Sequence, residues 1–332
     1  MSGRGLLTYR GEMPPTRRRK VEDRLAELVA MERGETSPEP AILREVVRGK
    51  SGLAIAVAAR VIASHGLTDL ADDLAAAFPR LCEHGVERDP QCKGKVAIAR
   101  ALHDLDRWYE EVFVAGVKLV QLQPAWGKPE DSAAELRGIC GLAFAHAGRA
   151  DALDVLADLL ADPHRVTRFA AAQALGDAGR PDATALLRYK LRVGDEEPDV
   201  LTACVASLLV LAPRGALPLI LSLLVGNDDR SIAAALGLGE RRIAAAAPAL
   251  IAWCGRSSPS TRARVGYLAL ALLRADDATA YLLERVTDGT RADAIAAGRA
   301  LATFRDDPAL AAQLHAAAAA HPDPAVAATL SA

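Results

Sequence analysis

The chain has 332 residues, of which 51% are hydrophobic, only 4% aromatic and 25% charged, and its formal net charge is −2. This near-neutral balance argues against a general phosphate-binding surface, and no apolar run is long enough to span a membrane. Five cysteines without a signal-peptide pattern point to reduced thiols and a cytoplasmic chain, not to a disulfide scaffold.

Residues 1–20 form a Gly, Pro and Arg-rich leader with six Lys or Arg against Glu12 alone. It reads as a flexible solvated tail. The run Arg17, Arg18, Arg19 and Lys20 is the one place where the sequence offers an acidic partner or nucleic acid a foothold. Residues 21–332 read as one array of helical units, the first near residues 48–62. The clearest units begin at Asp89 (DPQCKGKVAIARAL), Asp131 (DSAAELRGICGL), Asp162 (DPHRVTRFAAAQAL) and Asp195 (DEEPDVLTACVASL), with starts 42, 31 and 33 residues apart. Weaker copies follow near Ala234, over 260–273 and over 291–304, making about seven units, and residues 315–332 read as a degenerate cap. A period of this size marks stacked repeats rather than a single closed core.

Each unit reads as two helices. In the Asp162 unit, Asp162 is placed to cap the first helix and Pro163 to enter its first turn. That helix is expected to run to about Gly176, and the second over 183–191, with Gly179 and Pro181 in the turn and Gly194 at the end. The abundance of Ala predicts close helix packing. Lys95, Arg137 and Arg168 share the seventh position of their units, where the Asp195 unit has Leu201. Cys140 and Cys204 share the tenth, which makes them core fillers.

These units resemble HEAT repeats, of the short Ala-rich bacterial type also seen in phycobilisome-lyase-like HEAT proteins. The resemblance is close over 89–210 and looser over 210–332. It implies an all-α, right-handed α-solenoid in which Asp131, Arg137, Asp162, Arg168 and Asp195 tie neighbouring repeats together, with an interruption at Leu201. HEAT motifs say little about function, because the family spans scaffolds, transport factors, lyases and DNA-repair enzymes.

Catalytic motifs are scarce. Gly49, Lys50 and Ser51 end like a phosphate-binding loop, but Arg44 stands where its first Gly is required. None of the seven His is followed by Glu, as in HEAT-like di-iron hydroxylases, and no G-x-S-x-G occurs. Cys82, His84, Cys92 and His103 have metal-ligand chemistry without a recognised finger spacing. No cofactor is expected, and no catalytic residue can be named.

The departure from the repeat is the unit at 89–130. It carries Trp108, Tyr109, Phe113 and Trp126, and six of the chain's thirteen aromatics lie between Phe78 and Phe144. A second helix is expected over 106–122, with Tyr109, Phe113 and Val117 on one stripe, followed by a loop over 123–131. Two readings stay open: Trp126 plugs a joint in the array, or the loop borders a partner site with Arg88, Lys93, Glu110, Glu111, Gln123 and Trp126. The expected function is a protein-binding, non-catalytic scaffold using its concave or loop face. The alternatives are a lyase or glycosylase-type enzyme, which needs a deep cleft pairing a carboxylate with an aromatic, and a nucleic-acid module.

Overall fold

The computed structural model describes residues 15–330, with side chains from Arg24 onward. Two compact units are present, Met1–Ala143 and Phe144–Ala332. The first contains α1 (Pro15–Glu32), α2 (Pro40–Val47), α3 (Gly52–Ser64), α4 (Ala71–Glu83), α5 (Gly85–Arg88), α6 (Lys93–Asp104), α7 (Glu110–Gly116) and most of α8 (Ala134–His146). Arg17, Arg18, Arg19 and Lys20 fall in the first turns of α1, with their side chains outside the described residues. Residues 1–14 of the leader lie outside them altogether.

The expected unit at 48–62 holds the link after α2 and most of α3, because Ser51 is extended and its hydroxyl accepts the Ala54 N–H at 3.4 Å, starting a new helix. α3 packs along α6, and α4 packs on both α6 and α7. The α3–α6 approach is backbone to backbone. A Cβ on Gly94 would lie 2.9 Å from the Gly52 carbonyl oxygen, and one on Gly52 would lie 2.4 Å from Asp89 Oδ1.

The second unit continues with α9 (Ala152–Leu160), α10 (Arg165–Asp177), α11 (Ala183–Val193), α12 (Pro198–Leu211), α13 (Pro213–Leu223), α14 (Asp229–Glu240) and α15 (Ala247–Arg256). It ends with α16 (Pro259–Thr261), α17 (Tyr267–Leu273), α18 (Asp276–Asp288), α19 (Arg291–Ala302), α20 (Pro308–Ala320) and α21 (Pro324–Leu330). α10, α12, α14, α17 and α19 pack successively in one layer, and α9, α11, α13, α15 and α18 cover them in a second. This is the all-α, two-helix repeat architecture expected from the sequence. Small residues hold the first layer close: a Cβ on Gly176 would meet Ser207 Oγ at 2.7 Å, and one on Gly237 would meet Val205 Cγ1 at 2.5 Å. A π turn over Arg262–Gly266 joins α16 to α17, an irregularity that no residue pattern announces.

The shared repeat positions behave as structural ties. Lys95 Nζ donates to Asp89 Oδ2 at 2.8 Å with both side chains fully buried, and Arg137 Nη1 donates to Asp131 Oδ2 at 2.6 Å. Arg168 reaches into the next repeat, where Nε and Nη2 donate to the two Asp195 carboxylate oxygens at 2.8 Å each. Lys190 Nζ donates to the same carboxylate at 2.8 Å. Burial alone would push the Asp195 carboxyl up, but these cations and the Glu197 N–H hold it down at about 2. Leu201, in place of the next Arg, is buried. Asp228 in the following repeat instead binds Arg230 at 2.8 Å and caps α14 through the Ser231 N–H at 3.1 Å. Asp162 corrects one expectation. It accepts the His164 N–H at 2.8 Å, so it turns the chain just before α10, and Pro163 precedes the helix instead of opening it.

Candidate functional site

The extended repeat departs from the two-helix rule because its second helix stops early. Asp106 adopts left-handed backbone at φ 54°, and α7 begins only at Glu110 and has 7 residues, against the longer helix expected over 106–122. Of the aromatics around α7, Phe113 is core and Trp108 and Tyr109 are half-buried. Trp108 stacks on Phe113 with ring centroids 5.0 Å apart, Phe113 and Val117 are buried, and the Tyr109 hydroxyl donates to Asp72. Burial and the Asp72 carboxylate push the Tyr109 hydroxyl up to about 12.

The loop expected over 123–131 is a β-hairpin. β1 (Leu122–Gln123) pairs antiparallel with β2 (Glu130–Asp131), in the register Leu122 with Asp131 and Gln123 with Glu130. Its base is tied in several ways. The Asp131 carboxylate accepts the Gln121 N–H at 2.9 Å, the Ala133 N–H at 3.0 Å and Arg137 Nη1 at 2.6 Å. Burial opposes ionisation of that carboxyl, yet these donors hold it below the ordinary carboxylate range. Gln123 Nε2 donates to Ser132 Oγ at 2.8 Å, and Gln121 Nε2 donates to the Asp89 carbonyl at 2.9 Å. The Lys95–Asp89 pair thereby anchors the hairpin to α6. The tip, residues 124–129, combines Pro124 and Pro129 with Gly127 at φ 113°, a conformation suited to glycine.

Trp126 at this tip has 108% relative exposure, which rules out its role as a plug in a joint. Val120 and Leu122, at the foot of the same hairpin, are also exposed. Isolated exposed apolar residues are ordinary, but here a fully solvated Trp on a tied hairpin has two more exposed apolar side chains nearby in the chain.

The other residues expected at a partner site divide between local ties and open surface. Arg88 Nη1 donates to the Arg80 carbonyl at 3.0 Å and to Glu83 Oε2 at 3.2 Å, so it closes the α4–α5 corner. Gln123 holds the hairpin base. Lys93 opens α6, and Glu110 and Glu111 open α7, all three exposed. Sequence reasoning missed Val120, Leu122 and the hairpin itself. Their available signal was the turn chemistry of QPAWGKPED between two short polar–apolar stretches.

The thiol and imidazole candidates do not assemble a metal centre. Among the described residues, no group of three or more His, Cys, Asp or Glu is placed to hold an ion. Cys92 is buried and its thiol is pushed up to about 12, mainly by desolvation, which disfavours the thiolate a metal needs. Cys82 is shifted the same way. Cys140 and Cys204 are buried core fillers, as their repeat position predicts.

Residues 129–209 match the family model described as HEAT repeats. They are HEAT repeats. The matched stretch takes in the repeats that begin at Asp131, Asp162 and Asp195 and leaves out nearly all of the hairpin tip. Among solved structures, a chain from the complex of CpcE and CpcF of phycocyanin lyase from Nostoc sp. PCC7120 is similar to this one at 18% identity, with a TM-score of 0.41. The similarity covers 74% of this chain and 93% of that chain. No curated protein matches the sequence. Among the described residues, no helix is long and apolar enough to cross a membrane.

Proposed function

We propose that this HEAT-repeat chain is a protein-binding scaffold and that the hairpin carrying Trp126 is a docking element. The observation that carries the reading is the pairing of a fully exposed Trp with a base fixed by Asp131, Arg137, Gln121 and Gln123. A pre-ordered hairpin loses little conformational entropy when Trp126 enters a partner pocket, so most of the apolar area removed from water contributes to affinity. Trp anchors of this kind dominate interface energetics, and truncating one typically costs about 2 kcal/mol or more. The net charge of −2 favours a protein partner over a nucleic acid, whose phosphates reward basic surfaces.

Trp126→Ala in the full chain tests this. The variant is expected to melt like the parent and to lose most recovery of its partner from the native host, and a photo-crosslinking residue at position 126 should attach to that partner. Unchanged recovery in the variant, or crosslinks that never leave the chain itself, would overturn the proposal.

A further inference from the structure

In the second unit, the exposed face of α10, α12 and α14 forms an open groove of about 890 Å³. Its apolar lining includes Phe169, Ala206, Val210 and Leu236. The charged residues along it are four carboxylates, Asp177, Glu197, Asp199 and Glu240, against Arg165 and Arg241. Arg165 is already engaged, donating to Asp199 Oδ2 and lying 3.8 Å from Glu197. Asp199 Oδ1 is buried and accepts no hydrogen bond from the described residues, which is costly for a carboxylate oxygen. The Glu240 carboxyl is pushed up by burial and only partly compensated by Arg241. The groove therefore combines an apolar lining with carboxylates that outnumber its two arginines. It repels phosphates and acidic segments.

We infer that this groove receives a partner polypeptide segment in which an Arg or Lys stands among apolar side chains, with the cation donating to Glu240 and drawn by the carboxylate charge of Asp199 beside it. The inference rests on the protein-binding reading above and adds the chemistry of the partner. Charge complementarity selects the occupant: a cation offsets the excess of carboxylates over arginines along the groove, and flanking apolar groups cover Phe169, Val210 and Leu236. The close approaches of Gly176 to Ser207 and of Gly237 to Val205 keep the three helices, and so the groove, in fixed spacing.

The test is selection of displayed random peptides of about twelve residues on the full chain. Enriched peptides are expected to carry Arg or Lys flanked by apolar residues. A synthetic peptide from the enriched set should bind the Asp199→Asn/Glu240→Gln variant at least about tenfold more weakly, and Glu240→Gln alone should weaken it in the same direction. Replacing the peptide's cation with Gln should remove the difference between parent and variant. Trp126→Ala should bind the peptide unchanged. Absence of enrichment, enrichment without a cation, or equal binding by the variant would overturn the inference. Binding lost in Trp126→Ala but kept in Asp199→Asn/Glu240→Gln would overturn the groove while leaving the hairpin reading intact.

Discussion

Asp195→Asn should reveal how much the charged ladder of the second unit contributes. The parent carboxylate receives Arg168 twice and Lys190 once, and its pKa is held near 2 against an ordinary 3.8. A folded-state pKa below the unfolded value means that the stabilisation is present above about pH 4. It is lost as pH falls through the folded value near 2. The difference corresponds to about 2 kcal/mol at neutral pH, because one unit is worth about 1.4 kcal/mol. The side chain is only 2% exposed, so solvent screening does little to reduce this. Asparagine keeps the shape but leaves Arg168 and Lys190 without their counter-charge, which adds to the loss. For a unit of this size, the apparent melting temperature at pH 7 should fall by roughly 4 to 8 °C. Melts of parent and variant between pH 7 and pH 2 should converge at the acid end. A variant as stable as the parent at pH 7, or a gap that persists undiminished at pH 2, would refute the reasoning.

Lys95→Met should destabilise the first unit by about 3 to 5 kcal/mol, since it leaves Asp89 buried without its cation, and adding Asp89→Asn should recover part of that loss in denaturant titrations. Gly52→Ala should cost about 1 to 3 kcal/mol, because its Cβ would meet Asp89 backbone as well as side chain. Gly85→Ala should cost less in the same assay, because its Cβ meets only the movable end of Gln121. Thiol labelling of the native chain should modify Cys82 first and Cys92, Cys140, Cys204 and Cys254 only on unfolding, since these four are buried and their thiols are pushed up. Trp126→Ala should shift stability by no more than about 0.5 kcal/mol and remove the most readily quenched component of the tryptophan fluorescence.

Much of the fold is legible in the chain because a repeat states its rules several times. The Asp at position one, the cation at position seven and the buried apolar residue at position ten recur at 89, 131 and 162. Lys95 and Arg137 bind the Asp of their own repeat and Arg168 that of the next, so the positions keep their role while the partner varies. The candidate site is less legible because it lies where the rule breaks. A stripe of Tyr109, Phe113 and Val117 foretold a helix, and α7 forms between Tyr109 and Val117, with Phe113 and Val117 buried. The expected helix was too long: α7 stops at Gly116, and the chain beyond it is held from a distance, with the Gln121 N–H captured by Asp131 ten residues on.

What the sequence determined by itself was the helical repeat and its small-residue packing, because these follow from spacing and local propensity, while the structural role of its Asp and Arg positions was implied by the resemblance to HEAT repeats. Only the tertiary structure decided that Trp126 faces solvent, that Arg88 and Gln123 serve local ties, and that Asp199 Oδ1 lacks a donor in a groove across three helices. Exposure and unsatisfied hydrogen bonding depend on which distant residues arrive nearby, and spacing along one chain does not contain that information.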